Sequence, residues 1–353
     1  MKSQRVAVAM SGGVDSSVTV HLLKEQGFDV FGITMDLWDS PGLDNKLSKF
    51  QTAKIDAQKV ADNFGIPLDI LDFKSIFKEK VVTNFIDTYQ SGQTPNPCVI
   101  CNKKIKFGKL LDYAIAKGAD FLATGHYAKI INTGKSFSLY KGIDHQKDQS
   151  YFLCQLRQDQ LKKVLFPLGN YTKDQIRKIA KSIDLHVADK AESQDICFIE
   201  DDNYRSFLKQ YSQHVIPPGN IVNLRKEILG KHNGLFNYTI GQRKGLGVSF
   251  SEPLYVIDID MEQNELVVGT QSERNRSELI ATGVNFIDGV FLEKQVDIET
   301  KVRYSAKATL ADIRRIENDK YLVTFNSVVK DITPGQSVVF YAGDQLLGGG
   351  NIQ

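Results

Sequence analysis

The sequence contains little cysteine. Only Cys98, Cys101, Cys154 and Cys197 occur in a chain of 353 residues. Small extracellular proteins that rely on disulfides contain far more cysteine than this. The scarcity excludes a disulfide framework and indicates reduced thiols that are catalytic or bind metal.

The sequence also lacks long apolar runs and a targeting segment. No stretch approaches the ~20 apolar residues that a membrane-spanning helix needs, so no membrane partner is expected. The opening letters MKSQRVAVAM contain an apolar segment too short for the core of a signal peptide. They also lack the Arg- and Ser-rich character of a transit peptide. We therefore expect a cytoplasmic protein.

The chain has almost no net charge. The formal value is only +2, so no overall positive field indicates a nucleic-acid partner. A nucleic-acid site must therefore come from local basic clusters, each of which by itself is more often a solvated surface. These clusters are NKKIK at 102–106, GQRKG at 241–245 and the pair Arg314-Arg315.

Strand-like and helix-like segments alternate in the first half of the chain. The strand-like runs lie at residues 5–10, 28–35, 67–73 and 120–126. Such alternation is typical of βαβ units and a parallel sheet. Thr172 and Gln175 stand in the register of a capping box and predict a further helix over 171–185.

After about residue 212 the pattern changes to short β-rich runs broken by Gly, Pro and Asn. Such runs are typical of small barrels and sandwiches. We therefore predict an α/β chain in three parts: a parallel-sheet domain over 1–211, a small β-rich central domain over 212–276 and a C-terminal β-barrel over 277–353.

The string AMSGGVDSS at 9–17 follows the first strand and opens the first helix. In α/β sheets this is where phosphate binds, because the backbone N–H groups at a helix N-terminus are free. Gly12 and Gly13 let an anion approach the backbone closely. The string matches neither the P-loop nor the dinucleotide fingerprint. A plain Gly-Ser turn capped by Asp15 is the alternative interpretation.

The letters SGGxDS in this string resemble the pyrophosphate loop of the ATP pyrophosphatase superfamily, which has an adenine nucleotide alpha hydrolase-like fold. These enzymes cleave ATP to AMP and pyrophosphate while they adenylate a substrate. The resemblance implies that the loop holds the β,γ-pyrophosphate while Asp15 helps to place Mg²⁺ or the phosphates. ATP and Mg²⁺ are therefore the expected cofactors.

The string NPCVICN at 96–102 is a CxxC pair, which suits a zinc site, a redox dithiol or a catalytic thiol. Zinc is disfavoured, because no second CxxC occurs and none of the six histidines shows H-x₃₋₅-H spacing. A low-pKa thiol, or a persulfide on it, would be a strong nucleophile for displacing AMP. We expect Cys101 to begin a helix that runs to residue 118, where the helix N-terminus, Lys103 and Lys104 favour thiolate.

Nine strings spread over residues 5–351 carry a wider resemblance. They are MSGGVDSS, GITMDLW, TPNPCVICNKKIKF, ATGHYAK, KDQSYFL, DICFIE, YTIGQRKGLG, VRYSAKA and TPGQSVVFYAGDQLLGGG. Together, and in this order, they resemble the tRNA-specific 2-thiouridylases. The resemblance implies a sulfurtransferase that uses ATP to adenylate the oxygen on carbon 2 of the wobble uridine. Sulfur then replaces that oxygen, giving 2-thiouridine, AMP and pyrophosphate.

The resemblance also assigns roles to individual residues. Cys101 matches the nucleophile and Cys197 the carrier of the persulfide sulfur, which reaches the base directly or after Cys101 releases hydrosulfide by forming a disulfide with Cys197. The positions that would contact ATP are Ala9, Met10, Ser11, Gly12, Gly13, Val14, Asp15, Ser16, Met35 and Gly125. Those that would face the target base are Asn96, Pro97 and Cys98. Those that would contact tRNA elsewhere are His126, Lys147, Asp148, Gln149, Arg303, Tyr304 and Gln336.

The implied partners are tRNA, which in this family means the tRNAs for Lys, Glu and Gln, and a separate protein that donates persulfide sulfur. A donor is needed because nothing in the chain resembles a desulfurase. Two other functions would share the nucleotide loop. A tRNA-adenylating ligase or an amidating ATP pyrophosphatase would need no paired thiols, and an ATP-sensing RNA-binding protein would need no cysteines.

Cys98 departs from the family, which often carries Asp at this position. The departure supports an alternative in which Cys98, Cys101 and Cys197 hold an iron–sulfur cluster, since thiolates are its usual ligands. Cys154, in the string SYFLCQL, is expected to be a small buried hydrophobic residue.

Overall fold

The computed structural model of the chain describes residues 3–39, 47–191, 196–212, 217–290 and 293–353. Its α-helices are α1 Val14–Glu25, α2 Lys49–Phe64, α3 Lys74–Phe77, α4 Thr83–Gln90, α5 Pro97–Cys101, α6 Leu111–Ala116, α7 Gln158–Leu161, α8 Lys173–Ser182 and α9 Tyr204–Tyr211. Two π-helical segments, Lys78–Val82 and Asn102–Leu110, join α3 to α4 and α5 to α6. Short 3₁₀ turns lie at Ser150–Leu153, Pro167–Asn170, Leu235–Asn237 and Ser272–Arg274.

The strands are distributed over the whole length of the chain. They are β1 Arg5–Ala9, β2 Asp29–Asp36, β3 Leu68–Asp72, β4 Phe121–Ala123, β5 Ala128–Asn132, β6 Phe137–Lys141, β7 Val164–Leu165, β8 Gly219–Val222, β9 Ile228–His232, β10 Tyr255–Asp260, β11 Glu265–Gly269, β12 Asn275–Phe286, β13 Lys294–Lys301, β14 Thr309–Glu317, β15 Lys320–Lys330, β16 Ser337–Ala342 and β17 Gln345–Ile352.

Five parallel strands form the first sheet, in the order β3-β2-β1-β4-β7. Ala7 of β1 pairs with Phe31 on one side and with Leu122 on the other. Successive side chains of a strand point to opposite faces, so Ala7 joins one core cluster while Val6 and Val8 join another. Burial on both faces explains why β1 is apolar after Arg5.

The order of this sheet positions a binding crevice. The chain continues from β1 to β2 on one side, whereas β4 lies on the other side of β1. Ligands of α/β sheets bind where the strand order reverses, beyond the carboxyl ends of the strands. The loop at 10–13 and the segment at 124–126 leave β1 and β4 at this point. The predicted parallel-sheet domain is confirmed.

The second half of the chain is β-rich, as predicted. A four-stranded sheet has the order β10-β11-β8-β9 and packs around a small core that includes Ile221, Leu266 and Val268. The strands β12-β15-β14-β13-β16-β17 form a barrel, which closes because β12 also pairs with β17. The boundaries at residues 211 and 276 stay a prediction.

The sequence did not reveal one connection between these parts. The hairpin β5–β6 extends the barrel sheet, because Tyr140 and Leu139 of β6 pair with Gln345 and Leu346 of β17. A segment that follows β4 of the parallel sheet therefore belongs structurally to the C-terminal barrel. Within the described ranges, every helix is too short or too polar to cross a bilayer.

Candidate active site

The loop after β1 is held in one shape by its own side chains. Gly12 has a φ of +67°, and a Cβ there would lie 2.4 Å from the carbonyl oxygen of Ala53. The Ser17 hydroxyl donates to the Gly13 carbonyl at 2.8 Å, and the Ser11 amide donates to the Ser16 hydroxyl at 3.2 Å. Among the residues that the structure describes, no side chain caps α1, so its first N–H groups are available to an anion.

The other residues predicted to contact ATP differ in their exposure. Met10 and Val14 are buried in the core, and Ala9 and Met35 are half-buried at the ends of β1 and β2. Gly125 packs closely on the start of α1, since a Cβ there would lie 3.0 Å from the Ser16 amide nitrogen.

Asp15 is already engaged by neighbouring side chains. Both of its carboxylate oxygens accept from the Lys173 ammonium at 2.8 Å, and the Tyr127 hydroxyl donates to one of them at 2.8 Å. Lys173 is almost fully buried, so this pair anchors α8 to the start of α1. Because both oxygens are engaged by these partners, the carboxylate does not fit direct coordination of a magnesium ion in this arrangement.

A second lysine contacts the loop itself. The Lys190 ammonium donates to the Gly12 carbonyl at 2.9 Å and to Asp56 at 2.6 Å, and His186 lies 3.4 Å from the same carboxylate. Burial opposes ionisation of Asp56, but Lys190 and His186 outweigh it and lower its pKa. Sequence reasoning missed Lys173 and Lys190, because neither lies in a motif that identifies it.

The helix that carries the CxxC pair begins earlier than predicted. Asn96 is its cap and accepts from the Val99 amide at 3.4 Å, and Pro97 is the first helical residue. Cys98 therefore lies in the first turn, whereas Cys101 lies at the end of α5. The prediction that Cys101 begins the helix is wrong, because Pro at the first helical position, with Asn before it, is the stronger start signal.

A π-helical segment follows Cys101 directly and places a lysine that the sequence did not single out. Hydrogen bonds from i to i+5 bring Lys106 into line with Cys101, which an α-helix would not do. Lys106 acts electrostatically on Cys98, Cys101 and Cys197, and its ammonium lies 3.5 Å from His126 Nε2.

The two lysines expected to assist the thiols do not do so. The Lys103 ammonium donates instead to the Gln155 side chain at 2.8 Å, and it acts electrostatically on Cys154. Lys104 is exposed. Cys154 is buried, as predicted.

Desolvation disfavours the thiolate form of all three thiols. The atoms packed around each sulfur raise the pKa of Cys101 to about 11 and that of Cys197 to about 12, and they also raise the pKa of Cys98. Lys106 opposes each shift without cancelling it. The low pKa expected of Cys101 is therefore wrong here, because desolvation of the sulfur outweighs one cation. Cys98 and Cys197 nonetheless keep exposed surface, whereas Cys101 is buried.

Aromatic packing brings the second thiol segment over the helix. Phe198, the neighbour of Cys197, lies in a core cluster that also contains Cys101, Phe85 and Trp38. The first residue of the string DICFIE, at position 195, and the three residues before it lie outside the described residues. Within the described part of the chain, no three His, Cys, Asp or Glu side chains are arranged as a metal site.

Gly125 and His126 connect the two halves of the site. Gly125 packs on the start of α1, and the next residue, His126, faces Lys106. His126 is buried, and its Nδ1 lies 2.6 Å from the Thr124 hydroxyl. Burial holds the pKa of His126 well below its usual value, with Lys106 adding to the effect. His126 is therefore neutral near pH 7.

Most residues predicted to contact tRNA make contacts within the protein. Asp148 is buried and accepts from the Gly142 and Ser150 amides at 3.2 and 3.1 Å. Burial raises the pKa of Asp148 against these bonds. Gln149 accepts from the Tyr127 amide at 3.2 Å, and Lys147 is half-buried.

Of the barrel residues predicted to contact tRNA, Arg303 and Gln336 are bonded within the protein, whereas Tyr304 is exposed. Arg303 donates through Nη2 to the carbonyl oxygens of Ile240 and Asp331 and to the Thr333 hydroxyl. Gln336 donates to two backbone carbonyls just before Asn96. Tyr304 is exposed, with its ring centroid 4.6 Å from that of Phe152.

Three family models together match nearly the whole chain. They are "tRNA methyl transferase HUP domain" over residues 4–201, "tRNA methyl transferase PRC-barrel domain" over 205–270 and "Aminomethyltransferase beta-barrel domain" over 276–352.

Curated proteins match over their full length. The tRNA-specific 2-thiouridylase MnmA 1 of Caldanaerobacter subterraneus subsp. tengcongensis is 50% identical over 357 residues, covering 99% of this chain and 98% of that protein. The tRNA-specific 2-thiouridylase MnmA of Carboxydothermus hydrogenoformans is 47% identical over 358 residues, with the same coverage. Among solved structures, a 4-thiouridine synthetase–RNA complex with bound ATP is 16% identical with a TM-score of 0.35, covering 59% of this chain and 50% of that one. That likeness is too weak to support an argument.

Proposed function

Because the chain belongs to the family of tRNA-specific 2-thiouridylases and is a tRNA-uridine 2-sulfurtransferase, we propose how its residues divide the reaction. The phosphate loop binds ATP, and the thiol helix delivers sulfur to carbon 2 of the wobble uridine. The adjacency of Gly125 and His126 carries this proposal. Gly125 packs on the start of α1, and His126 lies beside Lys106, which acts electrostatically on the three thiols.

In the first half of the reaction, the free N–H groups of α1 and the loop backbone hold the pyrophosphate of ATP. Lys190, already on the Gly12 carbonyl, and Lys173, on Asp15, supply positive charge beside the phosphates. The oxygen on carbon 2 of the uridine attacks the α-phosphate, so that pyrophosphate leaves and AMP becomes bonded to that oxygen. We propose that magnesium enters with the ATP phosphates rather than on Asp15.

In the second half, the terminal sulfur of a Cys197 persulfide attacks carbon 2, and AMP leaves with the former uridine oxygen. Cys101 then attacks the Cys197 sulfur, which breaks the S–S bond and releases 2-thiouridine. Alternatively, Cys101 attacks first and releases hydrosulfide, which attacks carbon 2 itself. Either route ends with a Cys101–Cys197 disulfide, which a thiol reductant must reduce. Lys106 stabilises the thiolate and the perthiolate as they form.

The partners follow from this chemistry. We propose that the substrates are the tRNAs for Lys, Glu and Gln, and that a separate protein delivers the persulfide sulfur to Cys197. Cys197 keeps exposed surface, as a sulfur acceptor needs. We also propose a cytoplasmic location, because the reaction requires reduced thiols and the cytosol keeps them reduced.

Substitution of the thiols tests this division of roles. We expect Cys101→Ser and Cys197→Ser to abolish 2-thiouridine formation, because a hydroxyl neither carries a persulfide nor forms a disulfide. Cys154→Ala, at a buried thiol away from the cluster, is the matched control and should keep activity. Mass spectrometry of tRNA from a deletion strain complemented with each variant measures the product. Normal 2-thiouridine with Cys101→Ser would contradict the mechanism.

Cys98→Ala separates this mechanism from the iron–sulfur alternative, in which Cys98, Cys101 and Cys197 are ligands. We expect protein purified in air to be free of iron and to keep measurable turnover with sulfide as donor. Loss of both iron and activity in this variant would establish the cluster instead.

A further inference from the structure

The C-terminal barrel holds the loop that leads into the thiol helix. Residues 334–337, between β15 and the start of β16, are called the clamp here. The Thr94 amide donates to the Pro334 carbonyl at 2.9 Å. The Gln336 side-chain amide donates to the carbonyls of Thr94 and Pro95 at 3.1 and 2.9 Å. Two consecutive carbonyls just before the helix cap are thereby fixed.

The clamp also reaches the helix cap through a tyrosine. The Tyr151 hydroxyl donates to the Ser337 carbonyl at 2.8 Å. The Asn96 side chain lies near the same hydroxyl and acts to lower the pKa of Tyr151, against the larger effect of burial. The side-chain oxygen of Asn96 accepts from the Val99 amide at 3.4 Å. Asn96 therefore connects the barrel to the first turn of the helix, where Cys98 lies.

The donor geometry of Gln336 restricts what else this residue can bind. Its NH₂ group has two N–H donors, and the two carbonyls use them. A contact from this NH₂ group to RNA would break a bond that holds Thr94 or Pro95. Gly335 adds a steric limit, because its φ is +86° and a Cβ there would lie 2.8 Å from the Thr94 carbonyl oxygen.

We propose that Gln336 is a positioning residue for sulfur transfer: through Thr94, Pro95 and Asn96 it sets the place of the thiol helix against the target base. This role of Gln336 in sulfur transfer rests on the proposed function. The barrel is then part of the active site, although Gln336 lies 242 residues from Thr94 along the chain. The family resemblance implies instead that Gln336 contacts tRNA. In that case its mutation would weaken tRNA binding and leave Val99 exchange unchanged.

Gln336→Ala and Gln336→Glu test the proposal, the first by removing the donors and the second by placing a carboxylate against two carbonyl oxygens. Gln345→Ala and Gln345→Glu, at a half-buried glutamine on β17, are the matched controls. In the two Gln336 variants, we expect kcat to fall about tenfold or more and the Kd for tRNA to stay within about twofold of the wild-type value. Exchange of the Val99 amide hydrogen should accelerate about tenfold, because its acceptor Asn96 is released.

Tyr151→Phe serves as a second probe if the Gln336 variants fail to fold, since it removes one hydroxyl and keeps the ring. It should change kcat and Val99 exchange in the same direction. A weaker tRNA Kd with unchanged Val99 exchange would overturn the proposal in favour of an RNA contact. Unchanged kcat and exchange would also overturn it. If the wild-type protein makes no 2-thiouridine, the proposed function is refuted. Faster Val99 exchange in the Gln336 variants would in that case still support the structural role of the clamp.

Discussion

Gly12 and Gly27 share a left-handed backbone but differ in their surroundings. Their φ angles are +67° and +83°. A Cβ at Gly12 would meet the Ala53 carbonyl oxygen of α2, whereas one at Gly27 would have nothing within 4 Å. The loop after β1 therefore packs backbone to backbone on α2, and only glycine permits that approach.

We expect Gly12→Ala to lower the free energy of unfolding by about 1–3 kcal/mol more than Gly27→Ala, and to abolish ATP binding. Both variants strain the backbone, but only the first must move α2 or the loop. Urea unfolding and calorimetric titration with ATP measure the two effects. Equal stability losses, or retained ATP affinity in Gly12→Ala, would contradict the interpretation of the loop.

At the scale of the element, the π-helical segment Asn102–Leu110 places the lysine that acts electrostatically on the thiols. An α-helix would turn the side chain five residues after Cys101 away from it, whereas i to i+5 hydrogen bonds bring Lys106 into line with Cys101. Such segments are rare and concentrate at functional sites. The groups that face Lys106 are Cys98, Cys101, Cys197 and neutral His126.

Lys106→Gln should shift the pH–rate profile of sulfur transfer to higher pH. The thiol pKa values already lie above neutrality, so activity rises with pH as thiolate forms. The Lys106 cation lowers these values, and its loss therefore raises them further. Lys104→Gln, at an exposed lysine of the same segment, should leave the profile unchanged. A profile that does not move in Lys106→Gln would remove this lysine from the mechanism.

At the scale of the whole molecule, side chains of the barrel join it to the other two parts. The clamp contacts the loop before the thiol helix, and β17 pairs with the hairpin β5–β6. Arg303 connects Ile240 of the central region with Asp331 and Thr333 of the barrel. Asp331 is also paired with Arg274. The three parts are thus tied by buried or half-buried polar contacts.

We expect Arg303→Ala to lower the free energy of unfolding by about 1–3 kcal/mol, because the Ile240 and Asp331 carbonyls lose their donor. The family resemblance implies instead a tRNA contact, and the loss of a contact to phosphate would flatten the salt dependence of tRNA binding. Urea unfolding and tRNA binding at two salt concentrations distinguish the two roles. Arg243→Ala, at an arginine of the GQRKG cluster, is the comparison variant. Unchanged stability with a flattened salt dependence would assign Arg303 to RNA.

Signals that act over a few residues were readable from the sequence. The apolar runs of β1 and β2 predicted the parallel sheet, Thr172 and Gln175 predicted α8, and both now stand in the structure. The string AMSGGVDSS spans the end of β1 and the start of α1, as the order of strand-like and helix-like runs predicted, and its binding of phosphate stays a prediction. These elements follow from periodicity, capping and turn chemistry, which depend on near neighbours.

Interactions between distant residues were decided only by the tertiary structure. Residues far apart in the chain meet in three places. Strand β6 pairs with β17, Gln336 donates to the Thr94 carbonyl, and Lys173 pairs with Asp15. The pKa of Cys101 also depends on how many atoms surround its sulfur, which no local pattern records. The sequence by itself determined the elements and the chemical groups. Packing decided which groups meet and how strongly desolvation opposes their charge, because both depend on the whole fold.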